Sequence, residues 1–94
     1  MVFQIQIDSY FAKKYKKLVK NNFKLNLVVD QAITDLSENP LSKRLGSHKV
    51  NSPKFGSCFS SRVTGDISII WNYGVDGEVE ILELLDIGGH GEVY

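Results

Sequence analysis

Two histidines, His48 and His90, stand far apart in a chain of 94 residues. Histidine gains and loses a proton around neutrality, with an unperturbed pKa of about 6.5, so two of them could serve one reaction as acid and base. Each also has a plainer reading. His48 lies in a polar stretch where a surface histidine is ordinary. His90 follows Gly88-Gly89, a pair that lets backbone approach a ligand closely but also simply ends strands. Arg62 offers a planar guanidinium shaped for phosphate oxygens, its alternative being a surface ion pair with Asp66 or Glu83. No third ligand is spaced to join the histidines, so no metal is expected. The single Cys58 excludes an internal disulfide and a multi-cysteine zinc centre, and is expected in the core.

The charge pattern narrows the partners. The formal net charge is zero, yet all eleven Lys and Arg residues lie at or before Arg62. Eleven basic against four acidic residues give +7 for residues 1–62, and the remaining seven acids give −7 for residues 63–94. If the basic groups converge on one face, they attract phosphates through counterion release despite the neutral average. The alternative is that Lys13, Lys14, Lys16, Lys17 and Lys20 form the solvated face of a helix.

With 43% hydrophobic and 23% charged residues, the chain fits one compact domain, residues 1–94. Its core must be small, and a substrate as large as RNA would be read on the exterior, not in a deep cleft. The longest apolar run is far short of the ~20 residues a membrane span needs, and the first residues alternate like a strand, not a signal peptide. A cytoplasmic protein with no membrane partner is expected.

The elements that must position these groups are legible in the periodicities. Phe3, Ile5 and Ile7 alternate with polar residues, a strand with one buried face. Asp8 or Ser9 caps a helix in which Phe11, Tyr15, Leu18 and Val19 recur at helical spacing, ending near Asn21-Asn22. Leu25, Val28, Val29, Ala32, Ile33 and Leu36 mark a second helix, stopped by Asn39-Pro40, and the two form a hairpin. Residues 40–56 read as a basic loop with a short strand at His48 to Val50. Strand-like runs at 57–63, 67–73 and 78–87 follow, separated by Thr64-Gly65-Asp66 and by a turn carrying Asp76-Gly77, and predict an antiparallel meander. Ile67, Ile69, Trp71 and Tyr73 share one face, with Trp71 assigned to the core. Ser68, Ile70 and Asn72 share the other. Glu83 falls on a face with Val79, Ile81, Leu85 and Ile87, so either that face is open or Glu83 has a basic partner. The class is α+β: strand, helix, helix, then a three- to four-stranded antiparallel sheet, with the helical hairpin on one face and the other face free.

Three blocks carry a resemblance: Leu45-Gly46-Ser47-His48-Lys49-Val50, Ser60 to Trp71, and Leu85 to Tyr94. In order and spacing they resemble the RelE/ParE toxin superfamily, and within it the YafQ-like, messenger-RNA interferase branch. Together they span about half the chain, and the strand-helix-helix start matches in pattern.

The resemblance implies a type II toxin, a ribosome-dependent, metal-independent endoribonuclease that inhibits translation without a cofactor. It further implies a cognate antitoxin, ribosome and messenger RNA as partners, with operator DNA reached only through the antitoxin complex. It places His48 and His90 near one another as base and acid, in an order left open, with Arg62 at the phosphate. Asp66 matches an acidic position that could orient a histidine, or is a hairpin-turn residue. Tyr94 aligns with an aromatic that positions a nucleotide, or belongs to a loose terminus. Lys49, Arg44 and Lys43 would hold the phosphate backbone, and Lys13, Lys16 and Lys17 the ribosome. In one departure, Ser68 stands where many members have an arginine thought to contact the scissile phosphate, leaving Arg62, Lys49 or Arg44 to compensate. The alternative readings are a ParE-type DNA gyrase inhibitor, or a weakened toxin acting mainly in an autorepressor complex.

Overall fold

The computed structural model describes residues 2–76 and 79–89. Strand β1 (Gln4–Ile7) ends where the Asp8 side chain accepts a 2.8 Å hydrogen bond from the Tyr10 amide, capping helix α1 (Ser9–Val19). Asn21, in the left-handed region at φ 57°, reverses the chain. Asn22 then caps helix α2 (Phe23–Glu38) by accepting from the Leu25 amide at 3.1 Å. The Tyr15 hydroxyl clamps the hairpin, donating to Asp30 Oδ1 across 2.7 Å. That carboxylate holds the phenol proton and, with burial, lifts its pKa from 10.0 to about 12. Since the folded pKa is raised, the bond stabilises fully below pH 10 and is lost as pH climbs towards 12. Tyr15→Phe is therefore expected to cost about 1–2 kcal/mol at neutral pH, and urea titrations should show the mutant losing less stability than the wild type between those two pKa values.

Beyond α2 a single 3-10 turn (Lys43–Leu45) leads into β2 (His48–Ser52), β3 (Gly56–Arg62), β4 (Ile67–Asp76) and β5 (Val79–Gly89). The sheet order is β1-β5-β4-β3-β2. β2 to β5 form the expected antiparallel meander. β1 adds a fifth strand parallel to β5, from Gln4 opposite Ile81 to Ile7 opposite Leu84, so the sheet is mixed, not purely antiparallel. The helical hairpin between β1 and the meander supplies the crossover that parallel pairing requires. The expected turn at Asp76-Gly77 runs into positions outside the described residues.

The helix side of the sheet holds the core: Phe11, Val29, Leu36, Trp71, Leu82 and Leu84 are at most 1% exposed. Trp71 lies in it as expected, stacked on Phe59 at 4.7 Å between ring centres. The opposite face is not bare. It carries a second buried cluster, Cys58 and Ile70 with Val50 and Leu85 packed around them, and burial pushes the Cys58 thiol pKa up.

The strict alternation expected along β5 breaks at a β-bulge. Ile70 pairs with Asp86 but Trp71 with Leu84, so Leu85 is the extra residue. Leu85 packs with Cys58 and Ile70, whereas Ile87 joins Leu82 and Leu84 in the helix-side core. Ile87 therefore does not share a face with Leu85 and Glu83. Glu83 itself is half-buried beside Gln6, Ile7 and Asp8, and among the described residues it makes no ion pair. Its carboxylate keeps access to water, which is the open-face alternative.

Candidate active site

Cross-strand register gathers the site. His48 on edge strand β2 lies opposite Ser60, and Arg62, two residues beyond Ser60 on β3, lies opposite Ser68 on β4. Side chains two apart on a strand share a face, so His48, Ser60, Arg62 and Ser68 all rise from the side away from the core. The Thr64-Gly65-Asp66 turn closes one end. Its Thr64 hydroxyl accepts from the amides of Asp66 at 3.2 Å and Ile67 at 3.1 Å, which holds the turn in shape. The result is an open hollow of about 130 Å³ lined by His48, Arg62, Asp66, Ser68 and their small neighbours.

Gly46 has φ 57°, a left-handed conformation suited to glycine, and ends the 3-10 turn with its carbonyl 3.1 Å from His48 Nδ1. A carbonyl oxygen only accepts, so in this contact Nδ1 carries the proton. The neutral ring then keeps its lone pair on Nε2. Arg62 is exposed and, among the described residues, makes no ion pair, so the alternative of a surface pair with Asp66 or Glu83 does not occur. Ser68 is its cross-strand neighbour, at a separation of about 5 Å between β-carbons in such pairs. A guanidinium from position 62 thus reaches the volume that one from position 68 would occupy.

The remaining candidates lie elsewhere. Lys49 alternates to the other side of β2, opposite Phe59. Arg44 is tied to Asp35 of α2 at 3.2 Å, and Lys43 is exposed beside it on the same turn. Lys13, Lys16 and Lys17 are exposed on α1, away from the hollow, although Lys17 borders a separate recess next to Gly88. His90 and Tyr94 fall outside the described residues. The last described residue, Gly89, is paired with Ile67, and Gly88 with Ser68.

No protein-family model matches the sequence, and no curated protein matches it. Solved structures do. The YoeB/ParE toxin from Agrobacterium tumefaciens aligns with a TM-score of 0.75 at 11% identity, over 94% of this chain and 99% of that one. YafQ, in the E. coli DinJ-YafQ toxin-antitoxin complex, gives 0.69 at 19% identity over 100% and 99%. A metal-bound toxin from Helicobacter pylori gives 0.69 at 23% over the whole of both chains. The chain has the RelE/ParE toxin fold. At these identities the likeness is one of architecture, covering strand, hairpin and meander together.

In this RelE/ParE fold the site also rests on residues to which the sequence patterns assigned no role. The indole Nε1 of Trp71 donates to Ser61 Oγ at 2.7 Å, Ser61 bonds Ser47, and Ser47 bonds the Pro40 carbonyl. An indole N–H can only donate and a carbonyl only accept, so both hydroxyls point their protons towards Pro40. This relay fastens the segment before His48 to the core through the neighbours of His48 and Arg62. Ser47 and Ser61 both lie inside the resembling blocks, and small hydroxyl residues flanking each candidate were the available signal.

Proposed function

We propose that the chain is the toxin of a type II toxin-antitoxin pair, and that it cuts messenger RNA on the ribosome in the cytoplasm. The observation that carries this reading is the convergence of His48, Arg62 and Asp66 on one open hollow in a RelE/ParE-type sheet. His48, with Nε2 free, takes the proton of a ribose 2′-hydroxyl as that oxygen attacks the adjacent phosphorus. Arg62 spreads its fork over the non-bridging oxygens as charge builds on them. The bond to the 5′-oxygen breaks, and His90 returns a proton to that oxygen, leaving a cyclic phosphate on the other fragment. The reaction needs no metal and no cofactor. Asp66 limits the hollow and orients the imidazole or the turn, and Tyr94 positions a base.

Lys49, Lys43 and Arg44 sit outside the hollow and suit backbone phosphates further along the strand, while Lys13, Lys16 and Lys17 suit ribosomal RNA. An antitoxin partner is proposed from the DinJ-YafQ complex, with operator DNA reached through that complex. Primer-extension mapping after brief induction tests the reading. Discrete cuts in translated messages are expected, reduced about a hundredfold by His48→Ala, the low end for a general base because water replaces an exposed imidazole in part. Intact messages accompanied by DNA breaks would transfer the chain to the gyrase-poisoning class.

A further inference from the structure

The hollow that holds His48, Arg62 and Asp66 is also lined by three hydroxyl residues, Ser60, Thr64 and Ser68. Their hydroxyls are not equivalent. Ser60 is 1% exposed and already engaged in an interaction. Ser68 is half-buried, and among the described residues its hydroxyl has no partner, so it rotates freely. Thr64 differs from both. A hydroxyl has two lone pairs and one proton, and the amides of Asp66 and Ile67, at 3.2 and 3.1 Å, occupy both lone pairs of Thr64 Oγ1. The proton is left in the one tetrahedral direction that remains. The turn beneath it is fastened a second time, since the amides of Val63 and Thr64 donate to the Ile67 carbonyl at 2.8 and 3.2 Å. Thr64 thus carries a donor whose direction the backbone sets.

That donor is unspent. The Asp66 carboxylate lines the same hollow, yet among the described residues neither it nor any carbonyl takes a bond from the Thr64 hydroxyl. Accepting two N–H bonds also polarises the hydroxyl, which makes it a stronger donor in turn. A fixed neutral donor suits an oxygen on which negative charge grows, because nothing need reorganise when the charge arrives. Resting on the nuclease reading, we propose that Thr64 is a further catalytic residue, its proton bonding one non-bridging oxygen of the scissile phosphate while Arg62 supplies the charge. The proton stays on Thr64 throughout, so the bonds made and broken at phosphorus are those already described. Thr64 thereby gives part of the stabilisation that a guanidinium at position 68 would provide.

The test is single-turnover cutting of ribosome-bound message carrying one phosphorothioate at the scissile link, prepared as its two separate stereoisomers. Sulfur accepts hydrogen bonds weakly, so the wild type should cut the isomer with sulfur towards Thr64 about tenfold more slowly than the other. Thr64→Val is close in shape and keeps the two bonds to the Ile67 carbonyl. It should abolish that preference and slow cutting of ordinary message about tenfold or more. Thr64→Asp accepts from both turn amides but has no proton to give, so it should lose the preference too, whereas a purely structural Thr64 would leave it in place. Thr64→Ser should restore it. The preference is a ratio within one protein, so partial loss of folded material does not enter it. Either of the first two variants keeping the wild-type preference, or cutting ordinary message as fast as the wild type, would overturn the assignment. So would a wild type that cuts both isomers equally. In each of those cases the nuclease reading stands, while a wild type that cuts no message removes that reading and this role together.

Discussion

Arg62→Ala should lower cleavage of ribosome-bound message about a thousandfold, the upper range for removing one positioned donor from a developing oxyanion, with little change in stability. The stability half follows from exposure: Arg62 stands in water at the end of β3, and among the described residues it makes no ion pair to be broken. The catalytic half follows from Ser68. With a hydroxyl at the position opposite Arg62, no second guanidinium shares the phosphate in the described hollow, so the loss is not buffered. Arg62→Lys should recover only part of the rate, because an ammonium gives a point charge without the two-pronged contact. The informative variant is Arg62→Ala with Ser68→Arg, which moves the guanidinium across one ladder rung. Recovery of about tenfold or more over Arg62→Ala would place the demand on the shared volume and not on the residue number. If Arg62→Ala cuts message as fast as the wild type in single-turnover assays, the proposed phosphate contact is wrong.

Much of this arrangement was legible in the residues, because it depends on local rules. The cap of the first helix, the hairpin, the strand periods and Trp71 in the core follow from patterns a few residues wide. What escaped depends on pairing between distant segments. β1 joining β5 in parallel requires knowing where the crossover returns the chain, and the bulge at Leu85 appears only when β4 is laid beside β5. That single extra residue sends Ile87 to the core, which strict alternation had placed with Glu83. For the site, one-residue alternation sufficed to separate His48 from Lys49 once β2 was known to be a strand. The relay from Trp71 through Ser61 and Ser47 to Pro40 leaves no periodicity, because its three hydrogen bonds join distant residues, and the hydroxyl residues beside each candidate were its only trace in the sequence. The Arg44 partner was equally hidden, since Asp35 comes near it only through the path of the intervening turn.

The largest effect on folding is expected from Lys14→Met, at about 3–5 kcal/mol, the usual consequence of stripping a buried carboxylate of its cation. Asp86 is 3% exposed, and Lys14 Nζ reaches its Oδ1 at 2.8 Å from α1, while the Ile87 amide donates to the same oxygen at 2.8 Å. The carboxylate thus sits at the bulge, opposite Ile70, where β5 changes the face it presents. In Lys14→Met it must stay charged without its ion pair, take up a proton, or pull the bulge open to water, and each course is unfavourable. Asp86→Asn paired with Lys14→Met should recover more than half of the loss in urea unfolding, since a neutral amide needs no counterion. The same substitution tests how the fold serves the site. Residues 86–89 keep register with 67–70, which includes Ser68 in the hollow, and His90 follows directly on Gly89. If the bulge sets where β5 delivers His90, Lys14→Met should lower cleavage by folded protein while leaving Arg62-dependent RNA binding in place. Full stability in Lys14→Met would mean that water already reaches Asp86, and that the bulge is held by β4 alone.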